Sequence, residues 1–217
     1  MKEYHDKIEA IKRYPNENYL QTSIENKKII LKFVDLSQDT VELIARWRNE
    51  NKNWFLSRIN ATKKGTKQWI QNIIKNPDRL LFIIYHGVEM IGHIGVFHYD
   101  AKKNTAEIDS VLKAVSGSNP KLMENVLCTM FDWMFNDLKL SKVQLRVFTD
   151  NNKAINLYKR VGMSTIASIP LKKTVTSDGW VWNEIQLTDD DKFTERHLSV
   201  MEISKETFKK LKNKKLN

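Results

Sequence analysis

Two spacings of apolar residues alternate along this chain. In Lys142–Phe148, Val143, Leu145 and Val147 fall on one side and Gln144, Arg146 and Phe148 on the other, the period of a strand. Directly after it, Ala154, Ile155, Tyr158 and Val161 recur at helical spacing. Asp150 or Asn151 is available there as an N-cap, and Gly162 as a left-handed stop. The same reading predicts a strand over Lys28–Asp35 and a helix over Thr40–Asn49 carrying Val41, Ile44, Ala45 and Trp47. A second helix is expected from about Thr66 to Lys75, with Trp69, Ile70, Ile73 and Ile74 as its stripe and Asn76-Pro77-Asp78 as its end. Leu80–Tyr85 and Met90–Tyr99 flank the turn His86-Gly87-Val88-Glu89, and Thr105–Leu112 adds another strand. A long helix from about Pro120 to Leu138 directs Leu122, Val126, Met130, Trp133 and Met134 inward. Two late strands, about Ser164–Lys172 and Trp180–Leu187, flank Thr176-Ser177-Asp178-Gly179.

The expected order, β-α-α-β-β-β-α-β-α-β-β, is an α/β arrangement over residues 28–188, with a mixed, mostly antiparallel sheet flanked by helices. Residues 1–27 read as an N-terminal appendage, with Ile8 and Ile11 preceding Tyr14-Pro15-Asn16. Residues 189–217 read as a basic, peripheral C-terminal tail whose lysines between Lys205 and Lys215 form a solvated helix face.

Composition narrows the class. The chain has 217 residues, 41% hydrophobic and 29% charged, in the range of a folded globular protein. Its longest aliphatic–aromatic run, Leu80–Tyr85, is too short to cross a bilayer, and the charged start Met1–Asp6 has no secretory signal character. A single Cys128 excludes an intrachain disulfide, so a cytoplasmic protein is expected, with no membrane partner. A net charge of +10 suits an anionic small molecule. No nucleic-acid motif is present, so nucleic acid is not an expected partner. No His/Cys cluster has metal-ligand spacing, so no metal is expected. The sequence leaves a homodimer open.

The strand–turn–helix phrase that ends in Asn151-Asn152-Lys153-Ala154-Ile155-Asn156-Leu157-Tyr158-Lys159-Arg160-Val161-Gly162-Met163 resembles the closing motif of the GCN5-related N-acetyltransferases. The resemblance implies that family's fold and acetyl-CoA as co-substrate. It implies that Asn151 lies near the coenzyme arm and that Tyr158 protonates the departing thiolate. Transfer of an acetyl group to an amine also needs a base and an oxyanion donor. Ala106-Glu107-Ile108 is similar to the phrase of histone-acetylating members, in which the glutamate is the general base. Asp109, two residues along the same strand face, is its rival. His93 and His98 on the preceding strand are further rivals, more readily read as bystanders. The resemblance places the N–H of Val111 toward the thioester carbonyl and makes Leu112 and Lys113 coenzyme neighbours.

The family's pyrophosphate phrase, Gln/Arg-x-x-Gly-x-Gly/Ala, corresponds here to Ser118-Asn119-Pro120-Lys121-Leu122-Met123, and neither glycine is present. Helix-terminal N–H groups remain for the phosphates, and Lys121 could add a charge. On the acceptor side, Ala45-Arg46-Trp47-Arg48-Asn49-Glu50, followed by Trp54-Phe55 and Trp69, resembles two branches of the family. One acetylates amino-sugar nucleotides in surface-glycan pathways, and the other acetylates N-termini of ribosomal proteins. Arg48, Asn49, Arg58 and Trp180 are therefore expected at an acceptor site for an amine, most simply an anionic one. A guanidinium such as that of Arg48 can clamp a diphosphate or a carboxylate. The plain alternatives are a surface Arg48 beside a core Trp47, and a non-catalytic relative that only binds a ligand or partner.

Overall fold

The computed structural model describes residues 2–115, 119–186 and 194–216. In chain order the elements are α1 (Lys2–Arg13), β1 (Leu20–Ile24), β2 (Lys27–Phe33), α2 (Gln38–Glu50), a 3₁₀ turn (Lys52–Trp54), β3 (Ser57–Ile59), α3 (Lys63–Lys75), β4 (Leu80–His86), β5 (Glu89–Asp100) and β6 (Thr105–Lys113). There follow α4 (Leu122–Asn136), β7 (Lys142–Phe148), α5 (Asn152–Arg160), β8 (Ser164–Thr176), β9 (Gly179–Glu184), β10 (Arg196–Ser204) and α6 (Lys205–Leu216). One ten-stranded sheet runs in the order β1-β2-β4-β5-β6-β7-β10-β8-β9-β3. Among the described residues only β6 and β7 pair in parallel, so the sheet is mixed and mostly antiparallel, as the sequence led one to expect.

The helix starts follow from side-chain caps. Ser37 accepts from the N–H of Thr40 at the start of α2, and Thr62 accepts from that of Gly65, so α3 begins ahead of the expected Thr66. At α5 the cap is Asn151, whose Oδ1 accepts from the N–H of Ala154 at 3.2 Å, and Gly162 follows with φ +94°.

The two flanks expected to be peripheral lie inside the fold. Tyr4, Ile8 and Ile11 of α1 are buried in the main core, and β1 pairs along its length with β2. β10 lies between β7 and β8, with Leu198, Met201 and Ile203 buried. Phe208 of α6 packs on Phe131 and Phe135 of α4. The physical reason is coverage. Without β10 the last strand of the expected sheet would leave its ladder groups unpaired, and without α1 an apolar surface beside α3 would face water.

The faces of the sheet divide the labour. Ile94, Val96, Ala106, Ile108, Val143, Leu145 and Val147 are buried on the side of α4. Glu107, Asp109, Gln144, Arg146 and Phe148 take the alternate positions, facing α2 and α3. No helix among the described residues is long and apolar enough to cross a membrane.

Candidate active site

β6 and β7 pair only from Thr105–Lys142 to Ile108–Leu145, although both strands continue. Beyond Ile108 they separate and leave a slot through the sheet. The cause is a bulge in β6. Gly95 of β5 lies opposite Asp109 and His93 opposite Leu112, so β6 has one residue too many, and Ser110 takes a left-handed φ of +51°. His93, fully buried, holds this bulge through a 2.6 Å bond between its Nδ1 and the Ser110 carbonyl. Burial pushes the imidazole down to about 4, so it is neutral and Nδ1–H donates to the carbonyl. His93 is thus neither base nor bystander; it sets the backbone of the slot.

The two candidate bases differ sharply in their surroundings. Glu107 accepts from Arg146 Nε at 2.9 Å and faces His98 Nδ1 at 3.4 Å. Arg146 also bonds Glu184 and, at 2.9 Å, His98. Glu107 therefore belongs to a charge network over the middle of the sheet. Asp109 lies at the bulge itself. Its Oδ2 accepts from Arg79 Nη2 at 2.7 Å and from the Ser110 hydroxyl at 3.3 Å, while Oδ1 is buried without a partner. Gly95 makes the room for it, since a Cβ there would collide with Oδ1. Burial pushes the Asp109 carboxyl above its ordinary value; Arg79 and the hydroxyl act against this, and Glu107 adds a little to the rise. About a quarter of the side chain remains open to solvent (24%).

On the α4 side of the sheet, Tyr158 projects from α5 into the core, 6% exposed. Burial pushes its phenol above its ordinary value, so it holds its proton at neutral pH. Arg160 of α5 pairs with Glu124 at 2.6 Å and ties the helix to the start of α4. Lys113 at the end of β6 is pushed below its ordinary value by burial first and by the charge of Lys153 second. Two repelling lysines at the mouth of the slot suit a phosphate-bearing ligand. The sequence reading named Lys113 and missed Lys153, because only the fold brings the first turn of α5 to the end of β6.

In the expected pyrophosphate phrase, Ser118 lies outside the described residues. Asn119 accepts from the N–H of Lys121 at 2.8 Å and donates to Glu25 at 2.6 Å, so its side chain shapes the turn into α4. Leu122 and Met123 are buried core residues, and only their backbone could reach a phosphate.

The expected acceptor residues separate into two groups. Arg48 lies over the rings of Phe55 (4.9 Å) and Trp69 (4.5 Å), and Arg79 over Phe97 (4.6 Å) and Trp69 (5.8 Å). Burial and the Arg79 charge lower the Arg48 pKa, and Asp109 raises it, so all three charges share one space. Among the described residues no carboxylate forms an ion pair with Arg48. It lines a cleft of about 750 Å³ with Trp69, Thr66, Asn60 and the β8–β9 turn at Ser177 and Asp178. Asn49 is committed elsewhere: its amide accepts from the N–H of Ala61 (2.7 Å) and donates to the Ala61 carbonyl (2.9 Å), fixing the loop that borders this cleft. Arg58 and Trp180 stack on each other at 4.5 Å, in a neighbouring cavity of about 400 Å³ that also holds Trp54, Trp182, Lys173 and Arg196. Phe55 lines that cavity and carries Arg48, so the two spaces adjoin.

Among the described residues no group of three or more His, Cys, Asp or Glu side chains could hold a metal. A slot between splayed parallel strands, a protonated phenol on one side and a half-buried carboxylate on the other suit acyl transfer between two ligands that enter from opposite faces. Comparison with known proteins agrees. Residues 29–164 match the acetyltransferase (GNAT) domain family. The chain is 24% identical over 130 residues to acetyltransferase PseH of Campylobacter jejuni strain 81-176, covering 59% of this chain and 79% of that protein. Spermidine N-acetyltransferase SpeG of Vibrio cholerae, in complex with CoA and spermine, superposes with a TM-score of 0.62 at 14% identity, covering 82% of this chain and 97% of that one. RimJ of Mycobacterium smegmatis, in complex with CoA-disulfide, superposes at 0.65 and 13% identity, covering 87% of each chain. These likenesses in structure concern the fold, and with the family match they make this chain a member of the GNAT acetyltransferases, which use acetyl-CoA.

Proposed function

We propose that this acetyltransferase moves the acetyl group of acetyl-CoA to the primary amine of an amino-sugar nucleotide of the kind used in surface-glycan assembly. Asp109 serves as base and Tyr158 as acid. The observation that carries the acceptor class is the Arg48 guanidinium, stacked between Phe55 and Trp69 in this cleft, where among the described residues it forms no ion pair. A half-buried, pre-oriented guanidinium favours a diphosphate by paired hydrogen bonds. A polyamine such as the spermine bound by one structural neighbour would instead meet Arg48, Arg79 and Arg58. Like charges at this range disfavour it.

In the reaction, the ammonium of the acceptor gives a proton to Asp109 and its nitrogen attacks the thioester carbonyl carbon. The N–H of Val111, turned by the bulge at Ser110, donates to the oxyanion. The tetrahedral intermediate collapses, the C–S bond breaks, and the sulfur takes the proton of Tyr158, while the second proton of the attacking nitrogen returns through solvent to the phenolate and Asp109 gives its own to solvent. Asp109 is preferred to Glu107 because burial raises its affinity for a proton and leaves Oδ1 without a partner, whereas the oxygens of Glu107 are engaged by Arg146 and His98. The phosphates of the coenzyme are assigned to Lys113, Lys153, Lys121 and the first turn of α4, with Asn151 beside the pantetheine arm.

Thiol release from acetyl-CoA tests the reading with four acceptors: a nucleotide-linked amino sugar, the free amino sugar, a ribosomal-protein N-terminal peptide, and spermidine. Turnover is expected with the nucleotide-linked sugar, with kcat/KM reduced at least about tenfold for the free sugar and for Arg48→Ala, the loss usual for one charge-assisted hydrogen bond. Equal turnover of the peptide or of spermidine would overturn the acceptor class.

A further inference from the structure

The helix α1 precedes the stretch that matches the family, yet it is fastened to the loop that carries Arg79. His5 Nε2 meets Asp78 Oδ1 at 2.7 Å. Lys12 Nζ reaches the carbonyls of Ile74, at 3.3 Å, and of Asn76, the last acceptors of α3. Tyr4 stacks flat on Tyr99 of β5, with ring centroids 3.8 Å apart and planes 6° from parallel. Tyr99 lies two residues beyond Phe97, the ring under Arg79. The loop between is short and internally bonded: Asp78 N–H donates to Asn76 Oδ1, and Arg79 N–H to the Asn76 carbonyl. Hence α1 holds both the backbone on which Arg79 is mounted and the strand against which its guanidinium lies.

We propose that α1, through His5 and Lys12, is a positioning element that fixes Arg79 against Asp109 and so sets the proton affinity of that carboxylate. The inference rests on the assignment of Asp109 only for its effect on turnover; the effect on titration stands on geometry alone. Arg79 makes a single bond to Asp109, from Nη2, and its Nε is buried without a partner. A one-point contact of this kind has no geometric redundancy, so its strength depends on where the loop holds the side chain. The charges that face Asp109 are Arg79 from the α3–β4 loop, Arg48 from α2 and Glu107 from its own strand, with the Ser110 hydroxyl as a further donor.

The test is a carboxyl-carbon NMR titration of Asp109 in the full chain, for the wild type, Arg79→Gln, Asp78→Asn, His5→Phe and Asp78→Asn/Arg79→Gln. Arg79→Gln should raise the Asp109 midpoint by about one pH unit or more, because an opposite charge is lost. Asp78→Asn should also raise it, by a smaller amount. The sign is diagnostic, since removal of the Asp78 charge acting directly through space would lower the midpoint. His5→Phe keeps a ring against Tyr4 and Tyr99 and should follow Asp78→Asn. In the Arg79→Gln background Asp78→Asn should add nothing. A midpoint unchanged or lowered in Asp78→Asn, or shifts that add in the double variant, would overturn the proposal. The acid limb of kcat for the same variants, with Asp109→Asn alongside, separates the two readings. An acid limb that persists in Asp109→Asn sinks the base assignment and leaves the titration result standing.

Discussion

The two faces of the β6–β7 pair share one backbone and carry opposite chemistry. Toward α4 lie Ala106, Ile108, Val143, Leu145 and Val147, all buried. Toward α2 and α3 lie Glu107, Asp109, Gln144 and Arg146, each engaged in charged or polar contacts. The two-residue period of a strand makes this separation possible, since adjacent residues answer to different demands. Reaction chemistry can then be altered on one face with the core unchanged on the other. Only at the bulge, where Ser110 breaks the alternation, do the two sides communicate through the slot.

The strongest way to sharpen this contrast is Asp109→Asn. Loss of a general base typically removes two to four powers of ten, so kcat should fall about a thousandfold. KM for acetyl-CoA should hold, and the melting temperature should change little, because relief of the desolvated Asp109 charge offsets the loss of its pair with Arg79. Steady-state kinetics and a thermal melt on one preparation check both halves; normal kcat would reassign the base. On the opposite face, Leu145→Ala should destabilise the fold by about 2–5 kcal/mol through the cavity it leaves. Below its melting range kcat should stay within about twofold of wild type by the same separation of faces. A rate loss as large as that of Asp109→Asn would show that the faces are not independent.

Much of this architecture was legible in the sequence, and the gaps have physical causes. The strand Lys142–Phe148 has the expected ends, and Asn151 and Gly162 delimit α5 as local cap chemistry dictates. Each of these is decided by residues within one turn of one another. β1 and β3 escaped notice: Leu20–Ile24 is a short, half-exposed edge strand, and Ser57–Ile59 has only three residues. β10 could have been found, since Leu198, Met201 and Ile203 carry a strand-like signal, but the lysines that follow drew attention to charge. In the candidate site, Asp109, Arg48 and Tyr158 were all visible as residues. Arg79 and the bulge-holding role of His93 were not. Both depend on pairings across the sheet, Arg79 with Asp109 and His93 with Ser110, which no local pattern encodes.

His93 gives the next prediction, and its sign can be worked out. Its folded pKa of about 4 lies below the ordinary 6.5, so between those values the unfolded chain binds more protons. Stability should therefore fall as pH drops from 6.5 toward 4, by up to about 3 kcal/mol for this one group. Asp109 acts in the opposite sense, because its raised carboxyl takes up a proton in the folded state first. His93→Gln keeps a side-chain donor for the Ser110 carbonyl and removes the imidazole titration. Urea unfolding from pH 7.5 to 4.5 should give this variant a flatter profile than wild type. Parallel profiles would mean that the imidazole does not stay neutral in the fold.

The smallest effect, Glu107→Gln, tests the contrast within a single face. Glu107 and Asp109 share a strand and a direction, so proximity alone would give them similar weight. Their partners differ: Glu107 is bonded by Arg146 and faces His98, in a network that also holds Glu184, whereas Asp109 has one guanidinium, one hydroxyl and an orphaned oxygen. The amide should keep a weaker bond to Arg146, which retains Glu184. A partly exposed pair of this kind contributes about 1 kcal/mol or less, so the cost to stability should stay within that figure. With Asp109 as the proposed base, the rate should fall less than about threefold and the acid limb of the pH profile should stay in place. A Glu107→Gln enzyme that loses its acid limb would exchange the roles of the two carboxylates and make Asp109 the structural partner of Arg79.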